Sequence, residues 1–196
     1  MVVGRPRQFD VDEALEKAMS VFWRKGYEGA SMPELTKAMG INRPSLYAAF
    51  GNKQALFRKA IARYTAGPAC YVREALELST AKKVIQRLFA GEILMMTEGK
   101  NPKGCLVVQG ALACSESAKD IQQELADMRA RTETALRERL IRAKREGDLP
   151  RGASPAEMSK YVMTVMHGMA VQAASGASRR ELEAVADMAI RACGWA

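Results

Sequence analysis

Leu15, Ala18, Met19 and Phe22 recur at i, i+3, i+4 and i+7, the spacing of one buried stripe on a helix. The same period reappears to the end of the chain. Proline is sparse and β-branched runs are short, so the pattern predicts an all-α protein. The first helix is expected from Asp10, with Asp10 and Glu13 as a D-x-x-E capping box, to Gly26, where Arg24 and Lys25 suit a helix C-terminus. A second begins at Ser31, with Glu34 three residues on and Pro33 in the first turn, and turns Leu35, Ala38 and Met39 inward. After the corner Met39-Gly40-Ile41-Asn42, Asn42 caps a third helix over residues 43–50 with Pro44 in its first turn. Leu46 and Phe50, with Ile41, complete the apolar side, leaving Arg43, Ser45, Tyr47, Ala48 and Ala49 on the outer side. Gly51 stops this helix, and Asn52 caps a fourth that runs to a bend at Gly67-Pro68.

Further helices are expected over residues 81–98, 105–114, 118–146 and 155–174, with a last one opened by Ser178 and Glu181. The organisation predicted is a three-helix unit at 1–50, a connecting helix region at 51–80, and a helical domain at 81–196. The helix from Pro155 carries two apolar stripes. Met158, Val162, Val165, Met166 and Met169 form one; Tyr161, Thr164, Gly168, Val171 and Ser175 line the other. A helix apolar on more than one side is buried on more than one side. With Leu182, Val185, Ala186 and Ala189 of the last helix, it is expected to build a four-helix bundle across a two-fold axis; burial inside one subunit is the alternative.

Charge narrows the chemistry. The chain carries a net +8, of which residues 1–64 hold 11 Lys+Arg against 6 Asp+Glu. Two short helices around a glycine corner, on the basic third of the chain, describe a helix-turn-helix whose second helix enters a DNA major groove. A Tyr and an Arg on its outer side suit base edges and phosphates, and a helix N-terminus followed by Lys53 suits a phosphate. Arg5 and Arg7, either side of Pro6, make a basic arm that fits a minor groove or stands as a plain tail. One short recognition helix reads few base pairs, so a homodimer spanning about 34–36 Å of double-stranded DNA is expected. The four cysteines form no C-x-x-C or Cys/His cluster, which argues against zinc and against a secreted disulfide scaffold. With no apolar leader, and residues 161–178 too polar for a membrane span, a cytoplasmic location is expected. A single histidine, no paired carboxylates and no phosphate loop or nucleophile motif leave no basis for an enzyme, and no cofactor is expected. A sequence-blind DNA-packaging protein is the rival class, disfavoured by the ordered caps around the third helix.

Residues 10–64 resemble the DNA-binding domain of the TetR/AcrR family of bacterial transcriptional regulators. The resemblance rests on Gly26-Tyr27-x-x-Ala30-Ser31, Gly40-Ile41, Ser45-Leu46-Tyr47-x-x-Phe50 and Asn52-Lys53-x-x-Leu56-Phe57. It implies that Arg43, Pro44, Ser45 and Tyr47 sit in the groove, that Tyr47 and Lys53 touch phosphates, that Ser31 and Thr36 bind the DNA backbone, and that Asn42 does either. It also implies a small-molecule inducer among the middle helices, for which Phe89, Met96, Cys105, Val108, Met128, Met163 and His167 are the candidates. Repression is the expected outcome, with activation or a thiol- or metal-responsive version of the same fold as alternatives. Cys105, at a helix start where the dipole lowers a thiol pKa, is the candidate reactive thiol, weighed against a buried small hydrophobe. Met163 and His167, four apart, are the candidates for a soft metal such as Cu(I), with core packing the commoner role for such a helix. No resident metal site is assigned.

Overall fold

The computed structural model describes residues 9–99 and 101–195, and the basic arm with Arg5 and Arg7 lies outside them. Ten α-helices and one short 3₁₀ turn, with no strand, make up the described residues. Helix α1 (Val11–Gly29) starts at Asp10, whose carboxylate accepts from the amides of Asp12 and Glu13. Helix α2 (Met32–Met39) starts with the reciprocal Ser31/Glu34 capping box, and α3 (Arg43–Phe50) with Asn42 accepting from Ser45 N–H. Between them Gly40 takes φ 70° and ψ 27°, the left-handed corner that the sequence asks of a glycine. Leu35, Met39, Leu46 and Phe50 close on Ala18, Met19 and Phe22 of α1, all of them buried.

Helix α4 (Lys53–Ala66) packs along α1 and stops at Gly67, so residues 67–80 are not a continuation of it. A separate short helix, α5 (Tyr71–Leu76), follows and packs against α6 (Ala81–Thr97). It was missed because six residues are too few to display a helical period. The helix expected over 105–114 shrinks to one turn, α7 (Leu106–Gln109). Its continuation is lost because Gly110 O accepts from Tyr27 N–H of α1 at 2.7 Å, and Leu112 is left exposed. After a 3₁₀ turn (Glu116–Ala118) come the long α8 (Lys119–Arg145), then α9 (Pro155–Ala174) and α10 (Arg179–Ala192). Helix α10 packs on α6 and α9, and α9 lies against α8.

One glycine decides how the two ends of this stack meet. Gly26, expected to end α1, breaks it at φ 70° and ψ 179°, and the chain resumes helical turns to Gly29. That conformation is essentially confined to glycine. A Cβ there would also stand 3.0 Å from Gly110 O. The Gly26→Ala substitution is expected to destabilise the fold by about 1–3 kcal/mol, measured as a shift in the denaturant midpoint.

Candidate nucleic-acid interface and ligand cavity

Helix α3 exposes most of the side expected to face outward, while Ala49, expected there too, is half-buried against the core. Tyr47 is 50% exposed, and Arg43, Pro44 and Ala48 are exposed beside it, while Leu46 on the opposite side is fully buried. Arg43 forms no ion pair among the described residues, and neither does Lys37 of α2, a cation that sequence reasoning passed over. Asn42 Oδ1 is taken by Ser45 N–H at 2.9 Å, which leaves its amide –NH₂ pointing away from the cap as a donor. Ser45 is half-buried.

The hydroxyls of α2 are less free than expected. Ser31 donates to Glu34 Oε2 at 3.0 Å and accepts from Glu34 N–H, while Thr36 donates to Met32 O or Pro33 O, both at 3.0 Å. Each has one proton and that proton is engaged, so either would have to give up an internal bond to donate to a phosphate. Hydrogen bonds from Lys25 and then from Ser31 lower the Glu34 carboxyl to about 2, which favours the ionised form in the capping box. Lys53, at the start of α4, is half-buried with Nζ 4.6 Å above the Tyr27 ring. Its burial lowers the ammonium pKa and Glu28 raises it. It therefore braces α4 against α1 as well as facing the α4 N-terminus.

A cavity of about 370 Å³ opens between α4, α5, α7, α8 and α9. Of the seven candidate ligand residues, Cys105, Val108, Met128, Met163 and His167 line it. Phe89 and Met96 do not; they are 1% and 2% exposed and belong to the close-packed core around α6. An apolar, central position does not put a residue on a cavity wall, because a well-packed core leaves no void. What α6 contributes instead is Glu92, 2% exposed, with Oε2 lacking any hydrogen-bond partner. Burial pushes this carboxyl well above the ordinary carboxylate range, which favours its neutral form. Tyr64, Tyr71 and Arg129 are further wall residues that sequence reasoning did not select. Glu92 was findable: it is the single acid in the nine-residue apolar run at 88–96.

Cys105 does not behave as a helix-start thiolate. Burial above all raises its pKa, and the one-turn helix behind it brings little dipole. Its sulfur lies 3.3 Å from the Tyr64 hydroxyl, which is also 3.2 Å from Met95 Sδ. His167 is held neutral, its pKa lowered by burial and then by Arg129. Among the described residues no group of three or more His, Cys, Asp or Glu gathers around a metal-sized position.

The DNA-binding unit docks on residues next to the cavity wall in sequence, and Tyr64 belongs to both. Trp23 Nε1 donates to Gly104 O at 2.9 Å, one residue before Cys105, and Tyr27 N–H donates to Gly110 O. Glu28 accepts from the Ser115 amide and hydroxyl, and Arg58 of α4 pairs with Glu124 of α8 at 3.0 Å. Tyr64, the last buried aromatic of α4, packs edge-on to Trp23 and forms part of the cavity lining.

Residues 14–60 match a sequence model of "Bacterial regulatory proteins, tetR family", and residues 81–189 match one of "Tetracyclin repressor-like, C-terminal domain". The chain belongs to the TetR family. It is 32% identical over 190 residues to the HTH-type transcriptional repressor ComR of Escherichia coli K12, covering 96% of this chain and 90% of ComR. BdcR, another transcriptional repressor of that organism, is 29% identical over 189 residues, covering 96% and 91%. A solved structure of a cysteine mutant of the TetR family regulator CifR, complexed with 26-bp double-strand operator DNA, superposes with a TM-score of 0.92 at 39% identity over 98% of this chain and all of that one. As a TetR-family protein the chain is a DNA-binding transcriptional regulator, built as an N-terminal helix-turn-helix domain and a C-terminal helical domain.

Tyr47→Ala removes an exposed ring with no hydrogen bond to lose, so it is expected to leave the thermal midpoint within a degree or two. Operator affinity should drop about tenfold, the equivalent of one phosphate or base contact of roughly 1–3 kcal/mol. Fluorescence anisotropy on a bound fragment, read beside a melting curve, checks both halves.

Proposed function

We propose that this chain is a ligand-responsive repressor that binds a two-fold-symmetric operator as a homodimer in the cytoplasm. The observation that carries the DNA half is the exposed ridge of α3, fixed at its start by Gly40 and Asn42 and free of internal partners at Tyr47 and Arg43. Repressor names on full-length relatives and a CifR complex with operator DNA support the same reading. No helix among the described residues is long and apolar enough to cross a membrane. The reading gives the protein no catalytic role; its cavity serves recognition.

The second stripe of α9 supports the dimer. Tyr161, Thr164, Gly168 and Val171 are exposed, whereas Met158, Val162, Met166 and Met169 of the first stripe are buried within the subunit and Val165 is half-buried. On α10 the expected set divides. Leu182, Ala186 and Ala189 are 1%, 5% and 2% exposed because they pack inside the subunit, so they face no partner. Val185, at 45%, and Met188, at 64% and not among the expected residues, are what α10 offers. An apolar surface of this kind on two adjacent helices is the usual form of an isologous interface.

Response to a ligand follows from shared parts. Occupation of the cavity moves Tyr64 and the 104–110 segment, which are the contacts that hold α4 and α1. A ligand that prefers one setting of those contacts shifts the population of spacings between recognition helices, and with it operator affinity. Cys105 lines the same cavity, so modification of its thiol would act through that one site.

Selection of bound fragments from a random DNA pool is expected to return inverted half-sites with centres about 34–36 Å apart, or one further helical turn. Recovery of unrelated sequences would overturn the reading. Val185→Lys with Met188→Lys is expected to give a monomer by sedimentation and to lose operator binding about a hundredfold or more, because one helix then reads one half-site.

A further inference from the structure

Glu92 is a carboxyl without a partner on the wall of an otherwise mostly apolar chamber. Nothing in the described chain hydrogen-bonds to it. Of the two tyrosines on the same wall, Tyr64 has its hydroxyl against the sulfurs of Met95 and Cys105, and Tyr71, whose ring packs on the neighbouring Gly91, makes no side-chain hydrogen bond among the described residues. An unmade hydrogen bond on a buried polar group is costly, and a methionine would fill the same space without that cost. The partner that is missing from the chain is therefore to be sought in whatever fills the cavity.

The surroundings decide the sign of that partner's charge. Arg73, Arg129 and Arg131 contribute to the lining, and Arg129 is fixed there by its bond to Val107 O at 2.7 Å. A cation brought to Glu92 could donate to its carbonyl oxygen but offers nothing to accept its O–H, and it would share the cavity wall with these guanidiniums. An anion could accept the O–H of a neutral Glu92 carboxyl but would leave its carbonyl oxygen without a donor. A neutral carboxyl has one O–H to donate and a carbonyl oxygen to accept, and the head that matches both is itself neutral with a donor and an acceptor. The remaining wall, including Val72, Leu76, Val107 and Met128, is apolar. The volume of about 370 Å³ sits at the small end for ligand sites, which suits a molecule of about a dozen heavy atoms.

We propose that the cavity takes a small, neutral, largely apolar molecule whose single hydrogen-bonding head, of the amide or alcohol kind, pairs with the Glu92 carboxyl. This rests on the reading of the chain as a ligand-responsive regulator and names the class of ligand.

The test uses the full chain and five probes of one shape: 4-ethylbenzamide, 4-ethylbenzyl alcohol, 4-ethylbenzylamine, 4-ethylbenzoate and 4-ethyltoluene. Binding is read by calorimetry and by the shift in melting temperature. The amide and the alcohol are expected to bind at least tenfold tighter than the ammonium, the carboxylate or the hydrocarbon. In Glu92→Met the preference for amide over hydrocarbon should fall about tenfold while the hydrocarbon still binds; in Glu92→Gln, which keeps a donor and an acceptor, the preference should survive. Tightest binding of the ammonium would make Glu92 an anionic site, and tightest binding of the benzoate would assign recognition to the arginines; either overturns the proposal. So would an unchanged amide preference in Glu92→Met, or no binding of any probe. Operator affinity measured on the same samples separates the two layers: amide binding without operator release would overturn the ligand-response reading and leave the proposed pairing standing.

Discussion

The junction of α1 with the 104–110 segment is the constraint from which the rest of the arrangement follows. Tyr27 N–H and Gly110 O are backbone groups that would both lose a partner if the junction opened, and the Trp23 indole bond to Gly104 O is buried. The contact distance leaves no space for a side chain at residue 26, and the backbone angle there admits only glycine. Around it Phe22, Tyr27 and Phe57 pack edge-on or stacked, as do Trp23 and Tyr64, which ties α4 into the same joint. The surface pairs Arg58–Glu124 and Glu28–Ser115 add little free energy in water but restrict the angle at which the two domains meet. The helices that position α3 are thus fastened to the wall of the cavity.

Much of the DNA-binding half was legible because its information is local. Caps, first-turn prolines and glycine corners act over three or four residues, so Asp10, Ser31, Asn42 and Asn52 announce helix starts without reference to anything distant. The two stripes of α9 were legible for the same reason, as a helix writes its faces into its own period. What the chain did not disclose depends on partners far away in sequence. Gly26 reads as a terminator but serves a contact with Gly110, and residues 105–114 read as a helix but give up that conformation to the same contact. The division of α10 into buried Leu182, Ala186 and Ala189 and exposed Val185 and Met188 turns on where α6 lies, which no local signal records. The cavity is the extreme case: a void is defined by what fails to pack, and Phe89, Met96 and Glu92 lie within one short stretch of α6 while only Glu92 meets it.

Cys105 illustrates how the environment outweighs position. Placed at a helix start, a thiol gains acidity from aligned amides, but α7 has a single turn and burial of the sulfur penalises a thiolate. A thiol in this state reacts slowly with electrophiles and serves better as a soft contact for the Tyr64 hydroxyl. Reactivity at this position would need a ligand that supplies a positive or hydrogen-bond-donating group next to the sulfur. The cavity and the cysteine therefore describe one site rather than two independent sensors.

In the proposed dimer two joints in series set the separation of the recognition helices: the α9–α10 face between subunits and the α1 junction within each. The first is broad, apolar and continuous with the protein core through α9, so it has little freedom to change without unpacking Met158, Val162, Met166 and Met169 on the reverse side. The second is narrow and rests on a handful of hydrogen bonds and two aromatic clusters, one of which includes a cavity-lining residue, Tyr64. A small ligand can supply only a few kcal/mol of differential binding. That is too little to rearrange the first joint, and enough to bias the second. The softer joint is also the one beside the cavity, so in the proposed response a cavity remote from α3 would govern whether two helices meet successive grooves.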